Sequence, residues 1–201
     1  VPGARGAVQV IASRLPEKTR DAAIVTEVLA RIDGLNDLIQ DLLVFARPPA
    51  PKPARVDLPS LLGSVIALLK RDPALSDLEI SVTGDVPHAL ADPNLMKITL
   101  QNLLINAAHA QQGKGSVRVT LRRTDGFNSI DIADSGPGIP AEIRAALFRP
   151  FKTTKARGTG LGMATAKRLI ESQDGQIAVE CPASGGTRIT LTIPVAPADT
   201  E

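Results

Sequence analysis

The stretch Asp134–Gly162, DSGPGIPAEIRAALFRPFKTTKARGTGLG, decides how the rest of the chain is read. It holds two glycine clusters, Asp134-Ser-Gly136-Pro-Gly138 and Gly158-Thr159-Gly160-Leu161-Gly162. A basic segment built around Phe148-Arg-Pro-Phe151 joins them. Glycines this dense let a backbone approach a ligand with no Cβ in the way. The second cluster runs directly into an apolar-periodic segment, Leu161 to Ile170. A phosphate seated there meets free N–H groups and the positive end of a helix dipole. The stretch therefore predicts a nucleotide site covered by a mobile lid.

Upstream, Ile130 and Ile132 form a strand that ends in Asp134, and Thr124-Asp-Gly126 turns it back onto a strand through Val117, Val119 and Leu121. Before these, Asp92-Pro93 is a cap followed by a first-turn proline. The helix it opens runs to about Gln111, with Leu95, Ile98, Leu103 and Ala107 turned inward. Asn102, Asn106 and His109 share its other face, four and three residues apart. Earlier still come a helix over Leu58–Arg71, with Leu61, Leu62, Val65, Leu68 and Leu69 on its buried side, a strand through Leu78, Ile80 and Val82, and an extended piece over Val86–Ala91. Downstream, the pattern gives a helix over Leu161–Ser172, a strand over Gln176–Glu180, a Gly185-Gly186 turn and a strand over Thr187–Ile193. Residues from Pro194 onward read as a frayed tail. The layout is α+β: a mostly antiparallel sheet with helices on one face, a two-layer sandwich.

The first 47 residues are different. Ala7, Val8, Ile11, Ala12 and Leu15 recur at helical spacing before Pro16. A second helix follows from about Lys18 to Ala46, with Val25, Val28, Ile32, Leu35, Ile39, Leu42 and Ala46 in alternating steps of three and four. Such a hairpin is either a subdomain packed on its own chain or half of a dimeric four-helix bundle; the narrow stripe favours the dimer. Four prolines in Pro48-Pro-Ala-Pro-Lys-Pro53 then make a stiff connector. The expected division is a helical hairpin over 1–47, a linker over 48–55, the α+β sandwich with the nucleotide site over 56–195 and a tail over 196–201.

Composition narrows the function. A chain of 201 residues with 43% hydrophobic and 22% charged residues is long and apolar enough for a packed core. A net charge of +2 without Trp or Tyr argues against nucleic acid. Cys181 stands alone, which excludes an internal disulfide and any Cys-x-x-Cys metal site, and reads as a small packed residue. No apolar run reaches a membrane span. A cytoplasmic location is expected, either for a free protein or for the cytoplasmic part of a membrane-anchored one.

Several residues carry two readings. Asp134 either caps its own turn or accepts a hydrogen bond from an exocyclic amine; the neighbouring clusters favour the second. Asparagine is a poor helix-interior residue, so Asn102 and Asn106 together suggest a polar ligand. An amide oxygen suits Mg²⁺, which leans on substrate phosphates. His109 is either a solvated helix-end residue or a phosphate contact. Phe148 and Phe151 are either the lid's anchor or a docking contact, and Lys152, Lys155 and Arg157 either a solvated loop or phosphate-neutralising charges. His88 suggests no role.

These motifs together resemble those of two-component sensor histidine kinases. Asn102-Leu-Leu-Ile-Asn106-Ala resembles the N box, Asp134-Ser-Gly136-Pro-Gly138-Ile139 the G1 box, and Leu147-Phe148-Arg-Pro-Phe151-Lys-Thr-Thr-Lys155 the F box. Gly158-Thr159-Gly160-Leu161-Gly162 resembles the G2 box, and Gly185-Gly186-Thr187 the terminal glycine motif. The resemblance implies that Asp134 reads the adenine amino group of ATP, supported by Thr187. Asn106 would hold Mg²⁺ beside Asn102, His109 and Lys155 would meet phosphate oxygens, and the second glycine cluster would wrap the β/γ end. Phe148 would help dock the sandwich on a hairpin. It further implies a homodimer and a response-regulator receiver domain as partners.

In that family the acceptor histidine lies on the first hairpin helix, in a segment that residues 1–12 resemble only from just past it. Neither His88 nor His109 fits the acceptor position. The expectation is a chain that binds ATP–Mg²⁺ without labelling itself. Ile98 also departs from the pattern, standing where a polar residue is common. Related ATPases carry a glutamate on the asparagine-bearing helix, whereas Asn94–Gln111 has no acidic residue. A related protein-serine kinase and a non-catalytic dimerisation and docking module are the competing readings.

Overall fold

The computed structural model describes residues 6–10, 19–153, 159–183 and 185–197. Contacts divide the chain into two units, Val1–Arg47 and Pro48–Glu201.

In the first unit, residues 6–10 are helical (α1) and α2 spans Arg20–Ala46. Thr19 caps α2 by accepting from the Ala22 N–H. The apolar seam of α2 lies largely open in the single chain, with Leu35 58% exposed and Val28, Ile39 and Leu42 exposed as well. Pro16 and the expected turn around it lie outside the described residues.

The second unit is the two-layer sandwich that the sequence pattern predicts. Its elements are β1 (Ala54–Val56), α3 (Leu58–Leu69), a 3₁₀ turn (Pro73–Leu75), β2 (Leu78–Thr83), β3 (Ala89–Ala91), α4 (Pro93–Ala110), β4 (Gly115–Thr124), β5 (Phe127–Asp134), α5 (Ala141–Arg144), α6 (Gly162–Glu171), β6 (Gln176–Glu180) and β7 (Thr187–Pro194). Five strands form one sheet in the order β2-β4-β5-β7-β6. Only the β2–β4 pair is parallel; the others are antiparallel. β1 and β3 form a separate antiparallel pair.

Alternation along the strands makes the sheet one-sided. Val117, Val119, Leu121, Ile130, Ile132, Ile189, Leu191 and Ile193 are buried beneath the helices. The opposite face is polar, where the Thr190 hydroxyl donates to Asp131 at 2.8 Å and Arg122 pairs with Asp131 at 3.6 Å. Helix α4 lies over the sheet between α3 and α6, so its buried stripe is wide: Leu95, Met96, Thr99, Leu100, Leu103, Leu104, Ala107 and Ala108. Each large side chain buried here stabilises the fold by roughly 1.5–3 kcal/mol.

Three expectations need correction. Leu68 is 39% exposed, because the buried stripe of α3 runs Leu58, Leu62, Val65, Leu69 and Leu68 falls off that face. Ile98 lies at the margin of the α4 stripe, half-buried, and Met96 and Thr99 take the inward places. The expected fraying after Pro194 begins too early. Val195 bridges Ala89, Ala196 is 8% exposed with its N–H donating to the His88 carbonyl at 2.8 Å, and Arg55 Nη1 donates to the Pro197 carbonyl at 2.6 Å.

Aspartates cap α3 and α4. Asp57 accepts from the Ser60 hydroxyl at 2.7 Å and from its N–H at 3.3 Å, which holds its carboxyl below the ordinary value. Asp92 Oδ1 accepts from the Asn94 and Leu95 N–H groups at 2.8 and 3.2 Å. Burial pushes the Asp92 carboxyl upward, but the N–H groups of Lys52, Leu95 and Asn94 outweigh it and leave the pKa lowered. A lowered folded-state pKa adds stability above the unfolded value of about 3.9, lost as pH falls through the folded value. In denaturant titrations, the stability gap between wild type and Asp92→Asn should therefore be flat from neutral pH to about 5 and narrow as pH falls further.

Candidate nucleotide site

The β5–β7 register sets Asp134 opposite Thr187 at one end of the sheet. Asp134 Oδ1 accepts from the Gly136 N–H at 2.9 Å and the Thr187 N–H at 3.2 Å. One oxygen thus fastens the Gly136 turn to the start of β7. Among the described residues no protein donor reaches the second oxygen, Oδ2, and Asp134 is only half-buried. A half-buried carboxylate oxygen with a fixed direction can accept from a ligand amine.

Glycine is required where these segments cross. Gly186 sits at φ +79°, and a Cβ there would collide with the Asp134 carbonyl. A Cβ on Gly138 would press on the Gly186 carbonyl at 3.1 Å. Gly136 lies against Ala110, the last residue of α4, with a hypothetical Cβ 3.2 Å from the alanine methyl.

Ala110 links this corner to the asparagines. Asn102, Asn106 and Ala110 recur every four residues and so share one face of α4, spanning about 12 Å. At the other end of that face stands Gly162, the first residue of α6. A Cβ on it would lie 3.5 Å from Asn102 Oδ1 and 3.8 Å from Asn106 Nδ2. Helix α6 has no side-chain cap, and its N-cap residue, Leu161, is fully buried with its N–H donated to the Thr159 hydroxyl at 3.2 Å. Among the described residues no side chain caps the first N–H groups of α6, which start beside two half-buried amides. His109 is exposed in the last turn of α4.

The F-box segment is tied once to the loop before α6 and once to α6 itself. The Phe151 N–H donates to the Gly160 carbonyl at 3.1 Å, with both residues at positive φ, +62° and +68°. Lys167 Nζ of α6 lies 5.2 Å from the centre of the half-buried Phe148 ring. Phe151 is 63% exposed in a conformation uncommon for an aromatic residue. Lys155 and Gly158 lie outside the described residues. Ile139 contributes its carbonyl, which accepts from Arg144 Nε at 2.8 Å.

The geometry brings in one residue that sequence reasoning left aside. Gln111 Oε1 accepts from the Ser135 hydroxyl at 2.6 Å and the Ser116 N–H at 3.1 Å, holding the Gly136 turn against the end of α4. An open cleft of about 400 Å³ lies there, lined by Ala110, Gln111, Lys114 and Gly136. Gly186 was legible as part of a turn and of the terminal glycine motif; its contact with Asp134 appears once β5 and β7 are paired. No cluster of three or more His, Cys, Asp or Glu with metal-binding spacing exists among the described residues. A cation here would rest on amide oxygens and on the ligand's own phosphates, which is a suitable donor set for Mg²⁺.

The family model described as "Histidine kinase-, DNA gyrase B-, and HSP90-like ATPase" matches residues 91–197. The signal transduction histidine-protein kinase AtoS of Escherichia coli (strain K12) is 34% identical over 196 residues, 96% of this chain and 32% of AtoS. The sensor histidine kinase ZraS of Klebsiella oxytoca is 32% identical over 95% of this chain and 42% of ZraS. The chain thus spans well under half the length of these curated relatives. Among solved structures, full-length ShkA in complex with AMPPNP superposes with a TM-score of 0.78 at 27% identity, over 98% of this chain and 44% of ShkA. The mycobacterial sensor histidine kinase MprB superposes with a TM-score of 0.65 at 30% identity, over 73% of this chain and all of that one. No helix among the described residues is long and apolar enough to cross a membrane. The chain belongs to the histidine kinase-, DNA gyrase B- and HSP90-like ATPase family and carries the catalytic domain of a sensor histidine kinase.

Proposed function

We propose that this chain is the ATP-binding part of a two-component histidine kinase and delivers the γ-phosphoryl group to a histidine on the parent protein's helical hairpin. A response-regulator aspartate would then receive it. The observation that carries this reading is the continuous face from the Asp134 fork, along Ala110, Asn106 and Asn102, to the uncapped start of α6.

Each residue has a physical task in this reading. Asp134 Oδ2 accepts from the adenine amine, while Gly136 and Thr187 hold the carboxylate in place. Asn106, with Asn102 beside it, would hold Mg²⁺, which supplies positive charge against the phosphates. The N–H groups of the first turn of α6, from Gly162 onward, would donate to the terminal phosphates in a favourable dipole, with Gly160, Leu161, His109, Lys155, Gly158 and Thr159 alongside. Catalysis is then positioning plus charge stabilisation. Phe148 and Phe151 would dock the sandwich on the hairpin; the exposure of Phe151 and its uncommon backbone support this.

The open seam of α2 supports a homodimer, since exposed leucines at heptad spacing call for a partner helix. Water-activating ATPase chemistry is disfavoured by the absence of any acidic side chain on α4. A protein-serine kinase is disfavoured by the hairpin and the F box together.

Calorimetric titration should give ATP–Mg²⁺ binding in the micromolar-to-millimolar range. Asp134→Asn should lower the affinity by about 100-fold or more, because an amide NH₂ would face the adenine amine. Undiminished affinity would remove Asp134 from the adenine contact. Incubated with γ-labelled ATP, the chain should stay unlabelled, whereas a chain extended upstream through a hairpin histidine should label. Stable phosphohistidine on residues 1–201 would contradict this placement of the acceptor.

A further inference from the structure

The linker Pro48-Pro-Ala-Pro-Lys-Pro53 carries only two backbone N–H groups, those of Ala50 and Lys52, because proline has none. One of them is committed: the Lys52 N–H donates to Asp92 Oδ2 at 2.8 Å, forty residues further on. Lys52 precedes Pro53, which confines its backbone to extended conformations. The bond therefore fixes a stiff rod, not a slack tether. Directly beyond it β1 pairs with β3, Ala54 opposite Ala91, and β3 leads straight into Asp92.

Capping α4 needs one oxygen, and Asp92 Oδ1 supplies it. The second oxygen holds the linker. The Asp92 N–H donates to Gln173 Oε1 at 2.6 Å, and Gln173 Nε2 donates to the Leu169 carbonyl of α6 at 2.8 Å. Asp92 and Gln173 are each 5% exposed. One buried aspartate thus joins the linker, the start of the helix that carries Asn102 and Asn106, and the far end of the helix that begins at Gly162. The Ala89–Val195 bridge and the Ala196 N–H to the His88 carbonyl close the same corner.

We propose that Asp92 is a positioning residue that registers the proline linker on α4, so that linker placement and nucleotide affinity form one coupled equilibrium. This rests on reading the asparagine face of α4 as the nucleotide site. Coupling of this kind is reciprocal: if bound nucleotide tightens the Lys52–Asp92 tie, holding the tie tightens nucleotide binding. A displacement of the rod then reaches the nucleotide helix at its first turn, without passing through the lid.

Amide hydrogen exchange at Lys52, followed by NMR with and without saturating ATP–Mg²⁺, tests this. Exchange should slow about fivefold or more when nucleotide binds. Asp92→Asn keeps a capping oxygen but turns an NH₂ toward the Lys52 donor. It should abolish the nucleotide-dependent slowing and weaken ATP binding about fivefold. Lys52→Pro removes the donor and leaves Asp92 and its cap intact, so the test survives if Asp92→Asn fails to fold. It should weaken binding by the same factor, and the double variant should be no weaker than either single one. Nucleotide binding that leaves Lys52 exchange unchanged, or full affinity in Lys52→Pro, overturns the coupling alone. A wild-type chain that binds no ATP overturns the nucleotide reading and the coupling with it.

Discussion

The site depends on one bifurcated hydrogen bond. Asp134 Oδ1 holds two backbone N–H groups, that of Gly136 two residues on and that of Thr187 53 residues on. Without that fork the Gly136 turn has no fixed relation to β7, and the carboxylate has no fixed direction. The fork exists because β5 and β7 end in register and because Gly186 leaves room for the Asp134 carbonyl. A small ligand bound on one face needs its contacts set to within a fraction of an ångström, and sheet register supplies that more reliably than a loop.

The same economy runs through α4. Its buried stripe is wide enough to fix the helix against the sheet, α3 and α6, which leaves one face for Asn102, Asn106 and Ala110. Those positions meet the start of α6 at one end and the Asp134 turn at the other. In the proposed reading the helix is a ruler for the ligand, and Asp92 sets its zero point.

Most of this was legible in the sequence because it is local. Period-two alternation marked β4, β5 and β7, Asp125-Gly126 marked the turn between β4 and β5, and Asp92-Pro93 marked the start of α4. The glycine clusters and the paired asparagines carried the family resemblance. What the sequence hid is non-local. The cap at Asp92 was readable, but the forty-residue reach of its second oxygen to Lys52 was not. Gln111 looked like an unremarkable helix end until Ser135 and Ser116 were brought to it. Leu68 misled because a hydrophobic residue beside a buried stripe looks like part of it, and Ala196 because a strap over β3 cannot be seen from its own few residues.

The central claim is that Asp134 chooses the base and the asparagine face takes the phosphates. Parallel calorimetric titrations of this chain with ATP–Mg²⁺ and GTP–Mg²⁺ test it most directly, since the two ligands differ at the base and share the phosphates. Guanine presents a carbonyl where adenine presents the amine, and a carboxylate oxygen repels it. The account predicts a preference for ATP on the order of 100-fold or more. Equal affinity for the two nucleotides would contradict it.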